Sequence, residues 1–66
     1  MIPEYTNSQV KECIDEYIHN AVYRDILKRH LIDGRTYEQL AEEFNYSVRQ
    51  IARIIYKNEQ IIFKHI

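Results

Sequence analysis

Arg49, Gln50 and Arg53 begin one amphipathic stretch and carry the most specific chemistry the chain offers. An arginine fork can donate two parallel hydrogen bonds to O6 and N7 of guanine, and a glutamine carboxamide can pair with N6 and N7 of adenine. Both contacts require a helix that enters the major groove of double-stranded DNA with its N-terminal residues toward the base edges. Ser47, Lys57 and Arg35 add a hydroxyl and two cations suited to phosphates, contacts that fix register without reading sequence.

Other chemistries lack their parts. Cys13 is the lone cysteine and falls on an apolar helix face, where a small buried hydrophobe is the expected role. His19, His30 and His65 are widely spaced and do not form the i, i+4 pair of a helical zinc site, so no metal is expected. The adjacent carboxylates Asp15-Glu16 and Glu42-Glu43 point about 100° apart on a helix and read as solvated faces. Gly34 is the only glycine, which leaves no phosphate-cradling loop. No catalytic residue, no cofactor and no enzyme activity are expected. Of the six tyrosines, Tyr17, Tyr23, Tyr37 and Tyr46 sit at or beside apolar positions, while Tyr5 and Tyr56 are placed to face a partner.

The elements that must position these residues are helices, because one glycine and one proline allow few tight turns and no flexible linker. Val10, Cys13, Ile14, Tyr17, Ile18, Ala21 and Val22 follow the three-four spacing of a helix face. A first helix is expected from about Ser8 to His19, its start blurred by Thr6, Asn7 and Ser8, all good caps, with Gln9 completing a capping box from Thr6. Asn20 suits a cap better than a helix interior, so a break is expected there. The second helix spans about 21–32 on Val22, Ile26, Leu27, Leu31 and Ile32, with Asp33-Gly34 as its stop and Lys28, Arg29 and His30 near the negative end of its dipole. Thr36 with Gln39 opens a third helix of about nine residues, and Ser47 with Gln50 opens a fourth that runs to about Lys64.

The segment 36–57 has the pattern of a helix-turn-helix with its turn at Phe44-Asn45-Tyr46-Ser47. Ala41 is the small residue wanted where the two helices approach, and Leu40, Phe44, Tyr46, Ile51 and Ile54 would fill the angle between them. Asn45 stands where the turn needs a residue tolerant of positive φ. Two adjacent helices of any bundle share such apolar spacing, so a three- or four-helix bundle without a DNA role is the plain alternative.

Residues 23–65 resemble region 4 of bacterial sigma-70-type factors and the small phage or mobile-element proteins that share it. The resemblance rests on Arg24-Asp-Ile-Leu, on Leu31-Ile-Asp-Gly-Arg-Thr-Tyr-Glu-Gln-Leu-Ala-Glu-Glu-Phe, and on Ser47-Val-Arg-Gln-Ile-Ala-Arg-Ile. It implies that the second motif helix lies in the major groove of a promoter element and that the domain can touch RNA polymerase. Nothing in the chain resembles the separate sigma domain that melts upstream promoter DNA, and the acidic first 22 residues do not match the family pattern.

Length and charge bound the rest. With 66 residues the chain is read as one helical domain, 1–66, and domains of this size bury only about 60% of the surface of the unfolded chain. A hydrophobic content of 45% with 29% charged residues is that of a folded protein, an all-α bundle of about four helices. The net charge of −1 runs against the overall basicity common in nucleic-acid binders, but residues 49–66 sum to +3. No apolar run approaches the roughly 20 residues of a membrane span, and the start lacks the pattern of a signal peptide, so a cytoplasmic location is expected.

Two functions follow as expectations: a DNA-binding transcriptional regulator, or a protein-interaction module of the same fold that binds RNA polymerase or another protein through Glu38, Glu42, Glu43 and the acidic N-terminus. A single small module binds DNA weakly, and modules of this design raise affinity by pairing across a two-fold site. A homodimer joined by the apolar tail Ile61, Ile62, Phe63 and Ile66, or by the first helix, is therefore expected, with the same tail closing the core of one molecule as the equal alternative.

Overall fold

Each helix starts where a side-chain oxygen meets amide groups that have no partner in the first turn. The computed structural model describes residues 6–65. Helix α1, Asn7–Tyr17, is opened by a reciprocal capping box between Thr6 and Gln9, one residue before the expected start. Helix α2, Ala21–Leu31, is opened by Asn20, whose side chain accepts from the amides of Val22 and Tyr23 at 2.9 and 3.2 Å. The break at Asn20 is therefore where the sequence puts it.

Between these helices Ile18 is extended, with φ −102° and ψ 112°, yet buried. This explains why the apolar spacing runs unbroken through the break: Ile18 fills the core from a link rather than from the expected last turn of α1. The Arg24 guanidinium donates to the carbonyl oxygens of Ile18 and His19 at 3.1 and 3.5 Å, satisfying acceptors that α1 leaves open.

Helix α2 stops at Gly34, whose φ of +74° lets the chain turn so that the Arg35 amide donates back to the Arg29 carbonyl at 3.0 Å. Helix α3, Tyr37–Phe44, begins with the capping box of Thr36 and Gln39. It ends at Asn45, which takes the left-handed conformation with φ 60° and ψ 40°. The amides of Asn45 and Tyr46 both return to the carbonyl of Ala41. Helix α4, Val48–His65, is the longest element at 18 residues and about 27 Å.

An asparagine in this conformation predicts a contrast. Asn45→Gly should leave the thermal midpoint unchanged or raise it slightly, whereas Asn45→Val should cost about 1–2 kcal/mol because a β-branched side chain resists positive φ. Calorimetry on the two variants makes the comparison, and equal midpoints would mean that the left-handed turn is not maintained in solution.

The four helices form a small all-α bundle in which α4 packs against each of the other three, while α1 lies on α2 and α2 on α3. Ile14, Ile26, Leu27, Leu40, Ile51, Ile55 and Ile62 are its fully buried side chains. Tyr17, Tyr23, Leu31, Ile32, Tyr37, Phe44, Tyr46 and Ile54 close the rim. Val22, in the first turn of α2, is exposed rather than part of that face.

Ile62 corrects the expected dimer surface. It points to the same side of α4 as Ile51 and Ile55, is fully buried, and its carbonyl accepts from the Cys13 thiol of α1 at 3.5 Å. Ile61 and Phe63 remain exposed, and Ile66 lies outside the described residues, as does Tyr5. The tail therefore divides by helical periodicity into a core residue and two surface residues, because neighbours on a helix point about 100° apart. Nearby, His65 stacks on Tyr17 with ring centres 3.9 Å apart, joining the far end of α4 to α1.

No helix among the described residues is long and apolar enough to cross a membrane.

A candidate nucleic-acid interface on α4

The N-terminal turns of α4 are held by their own cap. The Gln50 amide donates to Ser47 Oγ at 3.1 Å, and the Ser47 amide donates to Gln50 Oε1 at 3.0 Å. This closes the first turn and fixes the direction in which the helix leaves the turn at Asn45 and Tyr46. Ile51 and Ile55 then anchor the inner side of the helix in the core.

The opposite side is basic. At 100° per residue, Arg49 and Arg53 fall about 40° apart and roughly 160° round the helix from the buried isoleucines. Tyr56, Lys57, Gln60 and Lys64 fall on the same outer arc, and all six residues are exposed, Tyr56 at 66%. The helical repeat thus sets Arg49, Arg53 and Lys57 on one outward face.

How the cations are used elsewhere sharpens the contrast. The chain has nine lysines and arginines. Those of α2 and the following loop are engaged inside the protein: Arg24 with the end of α1, Lys28 with Asp15 at 2.6 Å, and Arg29 and Arg35 with the two oxygens of Glu43. The hydrogen-bonded Lys28 ammonium holds the Asp15 carboxyl below its ordinary range. Arg29 also lies over the Phe44 ring, 5.6 Å from its centre. On α4, by comparison, Arg49, Arg53, Lys57 and Lys64 make no ion pair or hydrogen bond among the described residues. Lys11 on α1 is the remaining cation without such a partner.

Three of the expected site residues stand differently. Gln50 lies about 60° from Arg53 and 100° from Arg49, and its acceptor oxygen is occupied by the cap. It lines, with Tyr23, Tyr46, Arg53 and Ile54, a shallow notch between α2, the turn and α4. Ser47 Oγ accepts within the cap, which leaves its proton to donate outward. Arg35 lies in the loop before α3, 3.6 Å from Glu43, and that carboxylate offsets its charge. The engagement of Gln50 was legible in the sequence, since the Ser-x-x-Gln spacing that marks a capping box also claims the carboxamide.

The same ion pairs change the acidic surface of α3. Glu43 is neutralised by Arg29 and Arg35, while Glu38 and Glu42 are exposed and make no ion pair among the described residues. At the far end of the bundle, burial, reinforced by the charge of Glu16, pushes the Cys13 thiol above its ordinary range.

Comparison of the chain with models of known protein families, with curated proteins and with solved structures gave no match.

Proposed function

We propose that this chain is a sequence-specific DNA-binding transcriptional regulator that reads the major groove with the first turns of α4, as a sigma-70 region 4-like helix-turn-helix. The observation that carries the reading is the division of labour among the cations. Those of α2 and its loop are engaged within the protein, whereas Arg49, Arg53 and Lys57 have no partner among the described residues and lie along one exposed face, beside a turn that fixes the angle of their helix. This offsets the unfavourable net charge of −1, because phosphates respond to the local field of the face they meet. A protein that reads DNA works where the DNA is, so the proposal includes a cytoplasmic location.

The test is a salt titration of the binding of a fluorescent mixed-sequence duplex. If Arg49, Arg53 and Lys57 neutralise about three phosphates, the logarithm of affinity should fall with the logarithm of salt with a slope near −3. Lys57→Ala should reduce the steepness by about one and weaken binding on every sequence alike. A loss confined to one sequence would make Lys57 a base reader instead.

Absence of binding at low salt, together with retention on immobilised RNA polymerase, would favour the protein-interaction module. The exposed and unpaired Glu38 and Glu42 on α3 are the observation on its side. A homodimer belongs to the proposal in reduced form, resting on the exposed Ile61 and Phe63. Sedimentation at high micromolar concentration should show a dimer, and a monomer there would end this part of the proposal.

A further inference from the structure

We infer that the DNA site is read through two guanines, one contacted by Arg49 and one by Arg53, with Gln50 excluded from base recognition. The inference rests on the reading of α4 as a major-groove helix and specifies what that helix recognises.

The capping bond removes Gln50. Bidentate recognition of adenine needs the carboxamide oxygen to accept from N6 while the nitrogen donates to N7. In this chain Gln50 Oε1 already accepts from the Ser47 amide at 3.0 Å, and only an oxygen can fill that place because an N–H donates into it. Turning the carboxamide to a base would leave the Ser47 amide unpaired and open the first turn of the reading helix.

What remains on the outer face near the start of α4 is two identical forks. Neither guanidinium has an internal partner among the described residues, so neither must give up a protein contact to reach DNA. An arginine fork matches the O6 and N7 acceptors of guanine, and no other base pair offers two acceptors on one base edge in the major groove. Spacing limits how far apart the two guanines can be. Residues four apart rise about 6 Å along the helix, and successive base pairs rise about 3.4 Å, so the forks fall less than two steps apart. The two guanines should lie on adjacent or next-but-one base pairs, on either strand.

Selection of the full chain on a double-stranded library with 14 random base pairs, followed by sequencing, tests this. The enriched duplexes should share the two guanines. Arg49→Ala should abolish the preference at one position and Arg53→Ala at the other, because alanine leaves no donor for guanine O6 and N7. Each loss should amount to about a 5- to 150-fold fall in discrimination at that position, beside the uniform weakening that the loss of one charge causes on any sequence. Gln50→Ala should preserve both preferences. If that variant does not fold, Gln50→Glu keeps the capping acceptor, lacks the amide donor, and should also preserve them.

Guanines that survive both alanine substitutions, or an enriched adenine whose selection is lost with Gln50, would overturn the inference while leaving the regulator reading in place. Failure of the unmodified chain to bind any duplex at low salt would overturn that reading and the inference with it.

Discussion

Ile62→Ala is expected to cost about 2–5 kcal/mol of stability, while Ile61→Ala, one residue away, should change it by no more than about 0.5 kcal/mol. Ile62 is fully buried between α4 and α1, and Ile61 is 39% exposed. Deleting the larger part of a buried isoleucine forfeits its transfer free energy and leaves a cavity that a bundle of four short helices can only partly close. Stability scales with length at roughly 0.05–0.15 kcal/mol per residue, so a chain this small has only about 3–10 kcal/mol in total. The loss is therefore a large fraction of the whole. Each kcal/mol lowers the thermal midpoint of such a domain by about 4–8 °C, a difference that heating followed by circular dichroism resolves easily. Similar midpoints for the two variants would mean that residue 62 is not in the core, and the tail would again be available in full to a second copy.

Ala41→Leu should cost about 1–3 kcal/mol by overpacking. Ala41 is a buried residue of α3 in the core shared with Leu40, Ile51 and Ile55, and its carbonyl receives the two amides that close the turn. A leucine there must displace either the helix that carries it or the helix it meets. Because α4 leaves the turn directly, a displacement of α3 also tilts the face bearing Arg49 and Arg53, so DNA affinity should fall beyond what the loss of folded protein explains. Denaturant unfolding gives the stability change, and Ala21→Leu, at an exposed position in the first turn of α2, serves as the control with an expected change within about 0.5 kcal/mol. Equal effects at the two positions would remove Ala41 from the helix contact.

Most of the architecture was legible because local chemistry and periodicity agree. Thr6 with Gln9, Thr36 with Gln39 and Ser47 with Gln50 mark three helix starts, and Asn20, Gly34 and Asn45 mark the breaks between them. Each signal operates within three or four residues, so sequence alone carries it. Ile18 misled the first boundary because it is buried from an extended link, and apolar spacing does not distinguish a core residue on a link from one on a helix. Ile62 was ambiguous for a related reason: an apolar run at the end of a helix does not say which of its members faces inward until the partner helix is known.

At the site, the outward face of Arg49, Arg53 and Lys57 could be read from the helical repeat. The pairing of Glu43 with both Arg29 and Arg35 could not, since it joins residues from α2, a loop and α3. That pairing also makes Arg35 one side of a clasp between elements. It also removes Glu43 from the acidic surface that favoured a protein partner.

The reliance of three helices on α4 has a consequence for the chain while it is being made. Translation delivers α1, α2 and α3 first, and until α4 follows, Ile14, Ile26, Leu27 and Leu40 lack the isoleucines that cover them in the finished bundle. At about 5–20 residues per second, adding the 20 residues of 46–65 takes roughly 1–4 s. A chain that lacks α4 presents an open apolar surface, the feature that chaperones bind and that drives aggregation. A fragment that ends before Ile62 therefore has an incomplete core, and such a fragment is a substrate for proteolysis rather than a weaker version of the protein.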